Sequence, residues 1–125
     1  MIKTILLVGG GSCLGGIARY LLSREIYKFF PSIFPTGTMI VNIIGCLLIG
    51  LICGAGMRYS FMNEEMRAFL AIGFCGGFTT FSSFANENYL LADSGNMTYS
   101  ILYSALSLVL CMAAVYIGYK IFTMH

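Results

Sequence analysis

Two stretches of this chain, "TMIVNIIGCLLIGLICGAGM" (residues 38–57) and "MTYSILYSALSLVLCMAAVYIGY" (Met97–Tyr119), carry no charged residue. Each matches the roughly 20 apolar residues that an α-helix needs to cross a bilayer. Two further segments, beginning after Lys3 and near Arg67, are almost as apolar. Charged residues make up 10% of the 125 positions, where an ordinary soluble domain carries about 25%. Lipid offers the backbone no hydrogen bonds, so each crossing segment must satisfy its own. The chain therefore reads as an all-α, multi-pass membrane protein: one domain over residues 1–125, with transmembrane helices at about 4–23, 37–57, 67–91 and 97–122.

The connections are short. "SREIYKFFPSIFPTG" holds Pro31 and Pro35 among phenylalanines, as an interfacial turn does. In "RYSFMNEEMR", Asn63 suits an N-cap with Glu64 and Glu65 in the following turn, which accounts for the paired carboxylates without catalysis. In "ADSGNM", Gly95 closes the third helix and Asn96 can cap the fourth. The N-terminus, second loop and C-terminus share one side, with Lys3, Arg58, Arg67 and Lys120; Arg24 and Lys28 lie on the other, with Arg19 deeper. So even a distribution supplies little positive-inside bias, and such a chain can insert in both orientations. A net charge of +2 gives no footprint for nucleic acid. Lys3 and the run Thr4–Ala18 mimic a signal peptide, but three more apolar segments favour a retained first helix.

The five cysteines, Cys13, Cys46, Cys53, Cys75 and Cys111, are odd in number and lack CxxC spacing, so they read as small, buried, reduced side chains. "KTILLVGGGSCLGGIARYLL" imitates a dinucleotide-binding turn, but Leu14 stands where the third glycine belongs and no closing acid follows. Gly11/Gly15, Gly50/Gly54 and Gly73/Gly77 are GxxxG pairs, which let membrane helices approach closely. Asn42 shares a stripe with Thr38, Cys46, Gly50 and Gly54; its carboxamide must find partners, either as a structural bond or along a polar pathway. Tyr99, Tyr103, Ser107 and Cys111 form a second polar line. Arg19 either snorkels or holds positive potential at an aqueous entrance. Glu87 either faces water or bonds a helix end, and His125 is given no role. Inside the third span, "GFCGGFTTFSSF" (Gly73–Phe84) predicts a helix broken near its middle, at Gly76 and Gly77.

"GGFTTFSSF", Gly76–Phe84, resembles the core motif of the Fluc (CrcB) bacterial fluoride channels. "GG" with "AR", at Gly15, Gly16, Ala18 and Arg19, is similar to that family's first helix, and "GTMIVNIIG", Gly37–Gly45, to its second. The motifs fall in the family's order, and the likeness spans nearly the whole chain. Cys111 departs from it, since some members have a serine there. The resemblance implies an ion channel, not an enzyme: an antiparallel, dual-topology homodimer with two pores in the lipid of the bacterial inner membrane. It would export fluoride passively and so lower cytoplasmic fluoride. A structural, untransported sodium (Na+) would sit at the dimer centre on the backbone carbonyls of Gly76 and Thr79. The resemblance also places the Phe81 and Phe84 rings in the pores, edges toward the anion. The Asn42 amide and the hydroxyls of Ser82, Ser83, Tyr103 and Ser107 suit the remaining path as neutral donors, with Arg19 at its vestibule.

Two other classes share this size. A dual-topology small multidrug transporter relies on a membrane-embedded carboxylate in its first helix, and here that helix has none. A scaffold subunit would move no ion at all.

Overall fold

The computed structural model describes residues 1–60 and 62–123; His125 lies outside them. Among the described residues four helical segments are long and apolar enough to cross a membrane: 2–29, 36–58, 64–93 and 97–123. The first is α1 (Ile2–Phe29) and the second α2 (Thr36–Arg58). The third is composite: α3 (Glu64–Arg67), a π-helix (Ala68–Cys75), α4 (Gly76–Phe78) and, after a break, α5 (Phe81–Asp93). The fourth is α6 (Met97–Thr123). Helix α1 runs well beyond residue 23, carrying Arg24, Glu25 and Lys28 to a stop just before Pro31.

The ends follow local chemistry. Asn63 accepts the Met66 N–H at 2.9 Å, the N-cap expected of it, with Glu64 and Glu65 in the turn that follows. Gly95, with φ of 85°, supplies the left-handed turn before α6. A Lys3–Glu65 ion pair at 3.1 Å and an Arg58 bond to the Phe122 carbonyl at 3.1 Å gather the N-terminus, second loop and C-terminus at one end. Arg24 and Lys28 flank Glu25 toward the other.

Small residues set the packing. Alternate spans run parallel, so α1 lies along the first half of the third span, and α2 along α6. A Cβ on Gly11 would strike the Phe69 carbonyl and the Phe74 amide, and one on Gly15 the Phe74 carbonyl. From the facing side, Gly73 meets Val8 and Gly11, and Gly77 meets the backbone of Ser12. This seam is backbone on backbone, the close approach that GxxxG pairs permit. The second seam joins Gly50 and Gly54 to Val115, Gly118 and Tyr119.

The third span does break near its middle, but at Thr79–Thr80 and not at Gly76 and Gly77. Gly76 has helical angles (φ −62°, ψ −39°) and begins α4, whereas Thr79 (ψ 156°) and Thr80 (φ −147°, ψ 121°) are extended. Gly77 is small because α1 touches it there. The break comes one turn later, where β-branched residues favour extended backbone. Of the cysteines, all are free; Cys75 is buried and Cys46, Cys53 and Cys111 half-buried, but Cys13 faces outward, against the expectation of burial.

The glycine seam generates a prediction. Gly15→Val should destabilise the purified protein by about 1–3 kcal/mol or more, as overpacking does. Gly10→Ala, whose Cβ meets nothing within 4 Å, should leave the melting temperature unchanged or raise it. Thermal unfolding in detergent reads both; equal effects at the two positions contradict the seam.

Candidate functional site

The break is held by one side chain. Asn42, on α2, donates from Nδ2 to the Thr80 carbonyl at 3.0 Å and accepts the Thr80 N–H on Oδ1 at 2.8 Å. The carboxamide pairs with this residue as a neighbouring strand would, so Asn42 makes the structural bond. Thr80 then caps α5: its hydroxyl accepts the Ser83 N–H at 3.1 Å and bonds the Ser82 hydroxyl at 3.3 Å.

Backbone accounting shows what this does to α4. In an unbroken helix the Thr80 amide would bond the Gly76 carbonyl and the Ser83 amide the Thr79 carbonyl. Asn42 takes the first donor and the Thr80 hydroxyl the second. The carbonyls of Gly76 and Thr79 thereby lose their helical donors. The Gly77 carbonyl is bonded by Arg19 Nε at 3.2 Å. Arg19 therefore does not snorkel; it turns inward, its positive charge against the C-terminal end of α4.

Beside the break lies a groove of about 350 Å³. Asn42, Phe81, Phe84 and Ser107 line it, together with Gly76 and Thr79 at the break. The Phe81 and Phe84 ring centroids are 5.5 Å apart and tilted by 43°. Phe81 is 78% exposed, presenting an aromatic ring at the open side. Ser107 Oγ is buried and has no hydrogen-bond partner.

The remaining residues expected on the path lie elsewhere. Ser82 and Ser83 occupy the first turn of α5 but do not line the groove. Tyr103 is fully buried behind Phe84, ring centroids 5.0 Å apart, and its hydroxyl donates to Glu87 Oε1 at 3.2 Å.

Glu87 is the residue the sequence left open. Its Oε2 accepts the Tyr27 hydroxyl at 3.1 Å and the Thr38 hydroxyl at 3.0 Å. With Tyr103, all four spans converge on one carboxylate. The Tyr27 ring reaches it across Gly37, where a Cβ would fall 2.5 Å from the ring. At the next residue, Asn88 Oδ1 accepts the hydroxyls of Ser100 and Ser104 at 2.8 and 2.9 Å. A polar clasp thus fixes α5 to α6. The one hint in the sequence was an acid deep in a span, which must be hydrogen-bonded or paired.

Fold and site together define a class: a polytopic helical membrane protein with a broken third span and a groove of neutral donors and aromatic rings. The chain belongs to the family described as "CrcB-like protein, Camphor Resistance (CrcB)", whose profile matches residues 6–119. It is 40% identical over 119 residues to a protein of Azobacteroides pseudotrichonymphae genomovar. CFP2, covering 95% of each chain. It is also 45% identical to one from Prosthecochloris aestuarii, over 93% of this chain and 90% of the relative. A protein of Geobacter sulfurreducens is 42% identical, with 92% and 93% covered. All three are named fluoride-specific ion channel FluC. Channels are not enzymes, so the family is non-catalytic.

Glu87→Ala should strand three hydroxyls, each orphaned donor costing roughly 1–3 kcal/mol. We expect a large fall in melting temperature, and a smaller one for Glu87→Gln, which keeps one acceptor oxygen. An alanine variant as stable as wild type removes the carboxylate from its structural role.

Proposed function

We propose that this chain is a fluoride-selective channel through which fluoride leaves the cell passively, working as an antiparallel, dual-topology homodimer. The observation that carries the reading is the Ser107 hydroxyl. A buried donor without a partner costs about 1–3 kcal/mol, and here it sits in the groove that also holds Asn42, Phe81 and Phe84. An anion in the groove would supply the missing acceptor.

The chemistry suits fluoride. The ion is small and tightly hydrated, so a path must replace its water with close hydrogen-bond donors, yet still release it. A lysine or arginine at mid-path would hold it too strongly. Ser107, the second N–H of the Asn42 amide and the positive edges of Phe81 and Phe84 are milder. Ser82 and Ser83, on the exposed and half-buried faces of the first α5 turn, would extend the path beyond the groove. Tyr103 would act from behind, holding the Phe84 ring. Arg19 would raise the potential near the break and attract anions. A multidrug-transporter reading finds little support, because Glu87 is occupied by three hydroxyl donors.

The groove is open on one side, with Phe81 largely exposed there. A second protomer would close it, and the balanced charge at the two ends would allow the copies to insert oppositely. The Gly76 and Thr79 carbonyls suit a sodium ion at such a junction: both have lost their helical donors, and oxygen is the donor a hard cation takes. Two from each protomer would make the set, and the ion would neutralise carbonyl dipoles facing one another across the dimer.

Purified protein in liposomes, read with a fluoride electrode, tests the pathway. Phe81→Ile and Phe84→Ile should nearly abolish flux while the dimer still assembles; Ser107→Ala should reduce it strongly; Phe29→Ile, at the exposed end of α1, should leave it intact. Wild-type flux in both ring variants would remove those rings from the path.

Replacing sodium with N-methyl-D-glucamine should weaken the dimer on gel filtration and lower flux together. A C-terminal tag should be reachable from both faces of the membrane. Unchanged dimers and flux without sodium would dismiss the cation site, and a single tag orientation the antiparallel pair.

A further inference from the structure

Three of the five cysteines, Cys46, Cys75 and Cys111, line the groove. Two of them belong to the α2–α6 seam, and its register decides how they meet. A Cβ on Gly50 would strike the Val115 carbonyl, and one on Gly54 the Tyr119 backbone, so each residue of α2 faces the one 65 positions on. The helices run parallel, and the same offset sets Cys46 beside Cys111 one turn earlier. Two turns further back it sets Thr38 beside Tyr103, and those hydroxyls do meet, on the single carboxylate of Glu87. Both thiols are half-buried at the groove wall.

No group of three or more histidine, cysteine or acidic side chains among the described residues could hold a metal. That leaves no tetrahedral zinc-type centre. Soft cations ask for less. Thiolate sulfur selects them, and Hg²⁺, Ag⁺ and Cu⁺ bind two thiolates in a linear arrangement. We infer that Cys46 and Cys111 form a two-thiol site for a soft, linearly coordinating cation, set in the wall of the groove. For Hg²⁺, two S–Hg bonds form, the two thiol protons pass to water and no atom changes oxidation state. The bound ion occupies space beside Ser107 and Phe84. Resting on the channel reading above, the consequence is a block of fluoride flux. Fluoride, a hard anion, competes poorly for such a metal.

The test has two readouts. In a Cys13→Ser/Cys53→Ser background, intact-mass measurement after HgCl₂ should find one mercury on the Cys46–Cys111 pair, with two protons displaced and no chloride retained. Adding Cys111→Ser, or Cys111→Ala as a second version, should abolish that bridged adduct. In liposomes, HgCl₂ should remove nearly all flux from the parent, dithiothreitol should restore it, and each Cys46 or Cys111 variant should keep most of its own metal-free flux. Mercury that binds with chloride retained, or a block that persists in both the Cys46 and the Cys111 variants, overturns the site. The mass readout needs no transport. Absent metal-free flux would therefore count against the channel reading alone.

Discussion

The structure depends on one carboxamide. Breaking a helix inside a membrane exposes backbone donors and acceptors that lipid cannot satisfy, at several kcal/mol each. Asn42 answers both groups of Thr80 at once, accepting at 2.8 Å and donating at 3.0 Å. Its neighbours answer two more: Arg19 bonds the Gly77 carbonyl, and the Thr80 hydroxyl takes the Ser83 amide. Among the carbonyls deprived of the helical donors they would otherwise have are those of Gly76 and Thr79. The break is therefore a designed imbalance.

Such an imbalance persists only if the surrounding helices cannot drift. Two devices hold them. The glycine seams bring backbones together so closely that any added methyl must displace a carbonyl or amide. The Glu87 carboxylate then ties α5 to the other three spans through Tyr27, Thr38 and Tyr103. Seam and clasp act at different depths: the first grips the half of the third span before the break, the second the half after it. Each half is anchored separately, so the two extended residues between them need little support beyond Asn42.

How much of this was legible depended on distance along the chain. The four spans were, because uncharged runs of sufficient length have few other fates. The Asn63 cap and the Gly95 turn were, because their causes lie within three or four residues. The GxxxG pairs were legible as packing sites, although their partners were not. The position of the break was not: two adjacent glycines suggest a breaker locally, but the group that stabilises the extended backbone is 38 residues away. The Glu87 cluster was hidden for the same reason, its donors lying 60, 49 and 16 residues distant on three other helices. The anion-path residues were drawn into one list by chemistry and resemblance. The folded chain separates them into a groove set (Asn42, Phe81, Phe84, Ser107), a cap set (Ser82, Ser83) and a buttress, Tyr103.

That separation governs how substitutions should be interpreted. Asn42 has two amide hydrogens, one of them committed to Thr80, so it can hold the break and still offer a donor to the groove. Removing it would disturb the break as well as any donation to the groove, so a loss of flux could not be assigned to either. Tyr103 is similar, because its hydroxyl supports Glu87 while its ring supports Phe84. Ser107 has no such second duty. Its hydroxyl bonds nothing in the protein, and replacing it with alanine deletes one oxygen from a helix that favours alanine. If the protein is stable without that oxygen but conducts poorly, the hydroxyl belongs to the ion and not to the fold. The least entangled residue in the groove is thus the most informative one.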